Sequence, residues 1–372
     1  MQIAFRTDAS LQIGSGHVMR CLTLAEALRE IGAQCHFISR AHPGHLFDTI
    51  RQRGFAVNEM QAGLPSTITN APYGMDQSLQ LEHAAWLGCD WQTDADQTSS
   101  ILASIQPDWL ITDHYALGQP WEVALKHHYK KLMVIDDLAD RSHCCDLLLD
   151  QNLGRQPKDY AHLVPTSCQV LTGPRYALLR PEFAALRSNS LLRRAKFTEL
   201  RKLFIAMGGV DHANATGQVL HALQNCALPA DCRITVVIGL TAPWLKTIYE
   251  LAAQMPWSTE VEVNIDDMAQ RMGDSDLAIG AAGSTAWERC CLGLPTLMVV
   301  LAQNQLPGAL ALSAANAAQL IGEVDDIASQ LPLLFNELVC VDCLIEMGCA
   351  ASTITDGLGT KRVLRTIVGL ND

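Results

Sequence analysis

The chain has 372 residues, of which 49% are hydrophobic, and a formal net charge of −12 from 27 Lys+Arg and 39 Asp+Glu. This length and composition exclude a disordered chain and predict two domains, each large enough to bury a core. With no basic block, nucleic acid and anionic membranes are poor partners, and no run reaches the ~18 apolar residues of a membrane helix.

The first half of the chain alternates short apolar runs with stretches of helical periodicity. This alternation is typical of a parallel sheet with helices on both faces. The predicted strands are 3–6, 35–39, 109–112, 132–135 and 147–149, and the predicted helices are 17–31, 46–53, 97–105 and 121–128.

Polar residues follow each of these strands. Because ligands of parallel sheets bind beyond the carboxyl ends of the strands, the pattern predicts one crevice at that edge. The residues concerned are Arg6 and Asp8, Arg40, Asp113 to Tyr115, Asp136 and Asp137, and Asp150 to Asn152.

The alternating pattern restarts after a polar, basic stretch at 187–201, so a second α/β domain begins near that stretch. Its predicted strands are 203–207, 233–238, 261–263, 277–279 and 296–301, and its predicted helices are 214–225, 243–254, 268–272 and 285–292. Residues 61–78 are rich in Ser, Thr, Asn, Pro and Gly and predict a loop or lid of undefined role.

The segment from Ile13 to His17 joins the first strand to the first helix through Gly14 and Gly16. A glycine-rich turn that opens a helix offers free backbone N–H groups and the positive end of the helix dipole to an anion. In the first helical turn, His17 is biased toward neutral imidazole, the form that accepts a proton. The alternative is a structural histidine at a helix start.

This turn does not match a dinucleotide fingerprint, because Met19 replaces the third glycine. The second strand is followed by Arg40 and not by the acidic residue that binds an NAD ribose. The Walker lysine loop is also missing, so we expect neither NAD nor ATP as a cofactor.

Two further glycine turns lie between strand and helix in the second half, at 207–211 and 280–285. Small residues let backbone N–H groups approach phosphate oxygens, and Ser284 and Thr285 add hydroxyl donors. Glu288, one turn into the following helix, can accept hydrogen bonds from ribose hydroxyls. The alternative is that Thr285 and Glu288 form a capping box that needs no ligand.

Motifs along nearly the full chain resemble the UDP-sugar hydrolases of pseudaminic acid biosynthesis, with little family signature between 306 and 354. In the first half, the matching runs are Arg6-Thr7-Asp8, Gly14-Ser15-Gly16-His17 with Arg20-Cys21, Trp86-Leu87-Gly88 with Asp94-Ala95, Thr112-Asp113-His114-Tyr115, Ile135 to Arg141, Asp150-Gln151-Asn152-Leu153 and Gly173 to Phe183. In the second half, they are Gly208-Gly209-Val210-Asp211, Asp267-Met268-Ala269, Gly283-Ser284-Thr285 with Glu288, Asn304-Gln305, and Asp356-Gly357 with Arg362-Val363.

The resemblance implies a glycosyltransferase-B fold, an α/β architecture in which two Rossmann-like domains face each other across a cleft. We expect residues 1–190 to carry the catalytic histidine and sugar pocket and residues 191–354 to bind UDP. Residues 355–372 would form a helix that crosses back to the first domain.

The resemblance also implies roles for individual residues. It places uracil on backbone groups near Ile265 and Met268, and the ribose on Glu288. The diphosphate would contact Gly14, Gly16, Gly208, Gly209, Gly283, Ser284 and Thr285. The sugar would contact Arg6, Tyr115, Asn152, Asn304 and Gln305, with His114 as a weaker candidate.

The implied reaction is hydrolysis of UDP-2,4-diacetamido-2,4,6-trideoxy-β-L-altrose at the anomeric C–O bond, with inversion and release of UDP. UDP leaves as a stabilised anion, so the enzyme needs a base for water more than an acid for the leaving group. His17 is the predicted base. Asp8 is predicted to orient His17 or the water, with strand-end capping as its alternative role.

We expect neither a metal nor a cofactor, and Asp136 and Asp137 are interpreted as loop anchors. The alternatives are a UDP-sugar glycosyltransferase, a hydrolysing 2-epimerase and a nucleotide-sugar-binding regulator. Other enzymes of the same pathway are candidate partners.

Thirteen cysteines without a secretory segment indicate a reducing, cytoplasmic location. The Cys340 to Cys343 motif has no second pair and no nearby histidine ligands, so metal binding there is not expected.

Overall fold

A computed structural model describes residues 1–61, 81–338 and 340–370. The predicted loop at 61–78 therefore lies outside the described residues except for Gln61. The chain divides into two compact units, the first comprising Met1–Gln151, Arg155–Tyr176 and Leu364–Asp372, and the second comprising Asn152–Gly154 and Ala177–Val363.

The first unit is an α/β sandwich whose described strands form one parallel sheet in the order β3-β2-β1-β4-β5-β6-β7. The central strands form because their apolar runs are buried on both faces, as parallel sheets require. The strands are β1 (Gln2–Thr7), β2 (Gln34–Arg40), β3 (Ala56–Met60), β4 (Trp109–Asp113), β5 (Lys131–Ile135), β6 (Leu147–Asp150) and β7 (Gln169–Thr172). The helices are α1 (Gly16–Glu30), α2 (Phe47–Gln52), α3 (Trp91–Ile105) and α4 (Gln119–Ala124).

The described strands of the second unit form another parallel sheet, in the order β10-β9-β8-β11-β12-β13. They are β8 (Lys202–Ala206), β9 (Arg233–Ile238), β10 (Ser258–Val263), β11 (Leu277–Ala281), β12 (Thr296–Val300) and β13 (Gln319–Glu323). The helices are α5 (Pro181–Arg194), α6 (Ala215–Leu223), α7 (Leu245–Ala252), α8 (Met268–Asp274), α9 (Thr285–Cys291), α10 (Leu306–Ala314), α11 (Ile327–Leu338), α12 (Val341–Ile354) and α13 (Gly359–Val368), whose end is assigned to the first unit.

Both sheets share the strand order of a Rossmann fold, in which the chain reverses direction beside the first strand. The reversal lies between β1 and β4 in the first sheet and between β8 and β11 in the second. Ligands bind at the carboxyl ends of the strands at such a point. The fold therefore predicts that ligands contact the segments that follow these four strands.

The basic stretch predicted as a polar separator at 187–201 is mostly helical, because α5 runs to Arg194. Its arginines donate to carbonyl groups near the ends of neighbouring helices. Arg194 donates to Met272, Ser275 and Leu292, at 2.8–3.0 Å. Arg187 donates to Cys291 and Ser352 (the latter at 2.7 Å). Helix α5 thus belongs to the second unit, whose main segment begins at residue 177 and not at the expected 191.

Two features bear on the expectations for cysteines and membranes. Cys340 and Cys343 form a disulfide at the start of α12, a pairing not anticipated from the sequence. In the described part of the chain, no single helix is long and apolar enough to span a membrane. One bent pair, Val324–Glu337 with Val341–Val368, meets the length and hydropathy requirement only when combined.

Candidate functional site

His17 lies in the first turn of α1, directly after the turn that contains Gly14. Gly14 has a φ of 80°, a backbone conformation that favours glycine, and its N–H donates to the Ser10 carbonyl at 2.9 Å. Gly16 is the first residue of the helix. The turn therefore holds His17 at the carboxyl end of β1, where the fold predicts a ligand.

Asp113, at the end of β4, is the partner of His17: the His17 Nδ1 to Asp113 Oδ1 distance is 2.6 Å. Because a carboxylate only accepts, Nδ1 carries the hydrogen, and Nε2 keeps its lone pair when the ring is neutral. Burial alone would raise the pKa of Asp113, but the charges and hydrogen bonds of Arg20 and His17 lower it well below its ordinary value. An ionised carboxylate thus fixes the orientation and tautomer of His17.

Arg20 joins this pair to a second carboxylate. Its Nε and Nη2 atoms donate to the two oxygens of Asp113, at 2.6 and 2.7 Å, and Nη2 also lies 2.7 Å from Asp137 Oδ2. Asp137 in turn accepts from the Tyr115 hydroxyl at 2.7 Å. Sequence reasoning listed Asp113 and Asp137 among the polar residues of the predicted crevice and interpreted Asp137 also as a loop anchor. It gave neither Asp113 nor Arg20 a role in positioning His17.

Aromatic rings pack beside His17. Tyr115 meets the His17 ring edge-on with centroids 4.7 Å apart, and Trp86 does so at 6.4 Å. Trp86 also stacks with Tyr115 at 5.5 Å and with His83 at 4.4 Å. Tyr115 therefore lies next to the predicted base, and its role as a sugar contact stays a prediction. Trp86 appeared in the sequence only as part of a motif, and His83 was not anticipated.

Asp8 and Arg6 belong to a separate buried network, which corrects two of the predicted roles. Arg6 is fully buried and donates to Asp94 at 2.6 and 3.2 Å and to Asp8 at 2.7 Å. Asp8 also accepts from the Arg40 backbone N–H at 2.7 Å. With its donors directed at these carboxylates inside the protein, Arg6 is a structural residue and not a sugar ligand. Asp113 replaces Asp8 as the residue that orients His17.

His114 points into the same network, with Nε2 3.3 Å from Asp8 Oδ2. Burial lowers the pKa of His114, an effect that the nearby Asp8 carboxylate only partly opposes. It is nearly inaccessible to solvent. His114 is therefore not placed to contact a sugar either.

In the second unit, Glu288 lies on α9 with a side chain that is 16% exposed. Burial raises its pKa to about 7, although Arg180 and Arg289 act in the opposite direction. The distance from Arg180 Nη2 to Glu288 Oε1 is 3.9 Å. A half-hidden carboxylate that is poorly neutralised by its surroundings is a candidate acceptor for ligand hydroxyl groups.

The capping box considered as an alternative for Glu288 is not formed. Ser284, and not Thr285, is the residue that precedes α9, and its side chain makes no capping hydrogen bond. Thr285 Oγ1 instead accepts a hydrogen bond from Arg289 Nη1 at 3.1 Å. Glu288 is thus available for another role.

The turns that follow β8 and β11 differ in how many of their backbone groups are already hydrogen-bonded. After β8, Gly208 has a φ of 89°, and Gly209 lies against Gly239. Asp211 already accepts from the backbone N–H groups of Ala215 and Thr216, at 2.8 and 2.9 Å. An anion at this turn would therefore contact the glycine segment and not the start of α6.

After β11, Gly283 and Thr285 are half-buried and Ser284 is exposed. Gln305 lies close by, since a Cβ added to Gly283 would meet Gln305 Nε2 at 3.5 Å. Gln305 Oε1 accepts from the Leu301 N–H at 3.0 Å, which fixes its orientation. The predicted diphosphate turn and one predicted sugar contact are thus neighbours.

Four further predicted ligands lie in the second unit. Ile265 and Met268 pack their side chains against one of its hydrophobic clusters, which leaves only their backbone groups for a base. Asn152 Oδ1 lies 3.9 Å from a Cβ added to Gly308. Asn304 is in a short 3₁₀ turn with Gln305. Within the described residues, no three His, Cys, Asp or Glu side chains are arranged to hold a metal ion.

Comparison with known proteins identifies related sequences. An uncharacterized protein of Methanocaldococcus jannaschii is 27% identical over 310 residues, 82% of this chain, which spans 56% of that protein's length. The UDP-2,4-diacetamido-2,4,6-trideoxy-beta-L-altropyranose hydrolase of Campylobacter jejuni is 25% identical over 306 residues, covering 82% of this chain and 93% of the relative. No family model matches the chain.

Among solved structures, MurG of Acinetobacter baumannii matches with a TM-score of 0.67 and 16% identity over 99% of both chains. At that identity, the likeness shows the fold alone. The predicted glycosyltransferase-B fold, built from two Rossmann-like units, is confirmed, and so is the resemblance to a UDP-sugar hydrolase that the motifs indicated.

Proposed function

We propose that this protein is a nucleotide-sugar hydrolase that cleaves UDP-2,4-diacetamido-2,4,6-trideoxy-β-L-altrose into UDP and the free sugar. The observation that carries the proposal is the His17–Asp113 pair, which leaves a basic imidazole nitrogen at the carboxyl end of a Rossmann-like sheet. The Campylobacter relative supports the substrate, because its name states this activity.

The chemical step is attack of water on the anomeric carbon. The new bond joins the water oxygen to C1, and the bond from C1 to the phosphate oxygen breaks with its electron pair going to UDP. The water proton passes to His17 Nε2, and the positive charge that forms on the ring is stabilised by Asp113. Attack on the face opposite the departing UDP inverts the configuration at C1.

The second unit is proposed to bind the nucleotide. Glu288 would accept hydrogen bonds from the ribose hydroxyls, and backbone groups near Ile265 and Met268 would hydrogen-bond the uracil. The turns at Gly208 and Gly283 would contact the diphosphate, so that the negative charge of the leaving group is stabilised as it forms.

A UDP-sugar glycosyltransferase is the second candidate, favoured by the likeness of the fold to MurG. In that reaction an acceptor hydroxyl takes the place of water. Incubation of the pure protein with the UDP-sugar and no acceptor distinguishes the two. Equal amounts of UDP and free sugar indicate a hydrolase, whereas no turnover without an added acceptor contradicts our proposal.

The bond that breaks is tested by the same reaction in ¹⁸O-labelled water. Cleavage between C1 and oxygen places the label in the sugar and leaves UDP unlabelled, which phosphorus NMR and mass spectrometry detect. Label in the UDP phosphate would show attack at phosphorus and would contradict the mechanism.

The role of His17 is tested with His17→Ala. A positioned base typically contributes about 10²–10⁴-fold in rate, so we expect kcat to fall by this factor while UDP affinity stays within about twofold. His127, exposed on the turn after α4, provides the control substitution His127→Ala. A kcat for His17→Ala close to that of the control would exclude His17 as the base.

A further inference from the structure

Arg289, on α9, is a buried cation without a carboxylate partner. It is only 1% exposed, and none of the ion pairs in the described part of the chain includes it. Its Nη2 atom donates to the Ala281 carbonyl at 2.7 Å and Nη1 to Thr285 Oγ1 at 3.1 Å. Its Nε atom is buried without a hydrogen-bond partner.

A buried charge is costly unless an opposite charge compensates it. Burial lowers the pKa of Arg289 to about 10, an effect that the neighbouring Glu288 only partly offsets. Arg289 contrasts with Arg6 and Arg20, which are also buried but are each paired with carboxylates. The protein therefore holds a positive charge here that no carboxylate in the described part of the chain pairs with directly.

The charge lies directly beneath the glycine turn that follows β11. A Cβ added to Gly280 would come within 2.6 Å of Arg289 Nη1, so the missing side chain at Gly280 makes room for the guanidinium. Ala281, whose carbonyl it binds, is the last residue of β11, immediately before that turn. The upper side of the turn is accessible, because Gly283 is half-buried and Ser284 is exposed.

Arg289 also determines which way Thr285 can donate. A guanidinium has donors only, so Thr285 Oγ1 is the acceptor of their hydrogen bond. The single hydroxyl proton of Thr285 is then directed away from Arg289, and the bond to a cation makes it a stronger donor. An anion bound at the turn would accept a hydrogen bond from the Thr285 hydroxyl.

We propose that Arg289 supplies the built-in positive charge that selects a nucleoside diphosphate at this turn, acting through Thr285 and the turn backbone and without contacting the ligand itself. The inference rests on the proposed function and deepens it. It makes Arg289 a positioning and specificity residue for the pyrophosphate group.

The expected effect follows from Coulomb's law. If the separation is taken as about 7 Å and the effective dielectric as near 20, a unit charge changes the affinity of a singly charged anion by roughly 10- to 100-fold. Uridine lacks phosphate and should be nearly indifferent to the charge. The ratio of UDP to uridine affinity therefore isolates the contribution of Arg289 from any general effect on the site.

The test is isothermal titration of uridine, UDP and inorganic pyrophosphate into the wild type and the variants Arg289→Gln, Arg289→Lys and Glu288→Gln. We expect Arg289→Gln to lose 10- to 100-fold in affinity for UDP and pyrophosphate but at most threefold for uridine. Arg289→Lys, which keeps the charge, should recover most of the UDP affinity. Glu288→Gln should weaken uridine and UDP to a similar extent.

Equal losses of uridine and UDP affinity in Arg289→Gln would show a merely structural role and overturn the proposal, as would unchanged UDP affinity. If Arg289→Gln does not fold, Arg289→Lys is compared with Gly280→Ala instead. The alanine side chain at position 280 would displace the guanidinium of Arg289. UDP binding that depends on Arg289 in a protein that releases no UDP would support this inference and contradict the proposed hydrolysis. UDP release by the wild type, together with unchanged UDP affinity in Arg289→Gln, would support the proposed hydrolysis and contradict this inference.

Discussion

Replacing Glu288 with glutamine should stabilise the protein at neutral and alkaline pH but not in acid. The folded protein raises the pKa of Glu288 from 4.5 to about 7, chiefly through burial. Between these values the unfolded chain carries an ionised Glu288 while the folded protein keeps it protonated. The stability of the wild type therefore falls as pH rises from 4.5 to about 7 and stays lower above it. An amide at this position does not titrate.

The size of the effect follows from the pKa. One pKa unit corresponds to about 1.4 kcal/mol, so the rise is worth at most about 3 kcal/mol. Because 16% of the Glu288 side chain remains exposed to water, we expect about 2 kcal/mol at pH 8. For the second unit, a change of about 2 kcal/mol in the free energy of unfolding corresponds to a shift of about 4–8 °C in Tm. Arg289, whose pKa is about 10, stays charged throughout this range and does not change the sign.

Scanning calorimetry of the full chain at pH 5 and pH 8.5, wild type against Glu288→Gln, measures the difference. The transition that belongs to the second unit should shift upward in the variant at pH 8.5 and much less at pH 5. Glu182, a half-exposed carboxylate on α5 that pairs with the same Arg180, gives the control Glu182→Gln. A stability gain of equal size at both pH values, or none at pH 8.5, would refute the reasoning from burial.

Two further predictions concern the site. Asp113→Asn should lower kcat by about 10²–10⁴-fold with UDP affinity unchanged, because His17 loses its orienting carboxylate. Steady-state kinetics compare this variant with Asp48→Asn, a control at an exposed position. A near-normal kcat for Asp113→Asn would contradict the prediction. Gly239→Ala should cost about 1–3 kcal/mol and weaken UDP binding, because its Cβ would fall within 2.0 Å of the Gly209 carbonyl. Urea unfolding and UDP titration test it against Gly273→Ala, whose Cβ meets nothing within 4 Å and which should be neutral or stabilising.

The sequence predicted the interior of both sheets and missed their edges. Among the described strands, those that were not predicted are β3, β7 and β13, and each lies at an edge of its sheet. At a fourth edge, β10 was predicted at only half its length. A central parallel strand is buried on both faces and reads as a continuous apolar run, whereas edge strands mix polar and apolar residues. Edge strands are thus defined by a neighbour that is distant in sequence, which a local pattern does not reveal.

The same limit explains why a catalytic role was predicted for His17 and no role beside it for Asp113. The glycine turn and the helix start around His17 are local features. Asp113 lies 96 residues further along, and it meets His17 because β4 pairs with β1, with Thr7 and Asp113 as register partners. Asp8 was the nearer carboxylate in sequence, but Arg6 and the backbone N–H of Arg40 on β2 already donate to it. Strand order, and not sequence distance, selects the carboxylate.

The second unit places two buried charges of opposite sign at adjacent positions of α9 without pairing them. Neighbouring residues of a helix point about 100° apart, so Glu288 faces Arg180 while Arg289 lies beneath the glycine turn. Each charge is costly in the empty protein, and each lacks what one part of a nucleotide offers: hydroxyl donors for Glu288 and negative charge for Arg289. Replacing Glu288 should therefore stabilise the free protein at neutral and alkaline pH, and replacing either residue should weaken a different part of UDP binding. A protein selected only for stability would not keep both, which is why the pair, more than either residue alone, indicates a nucleotide site.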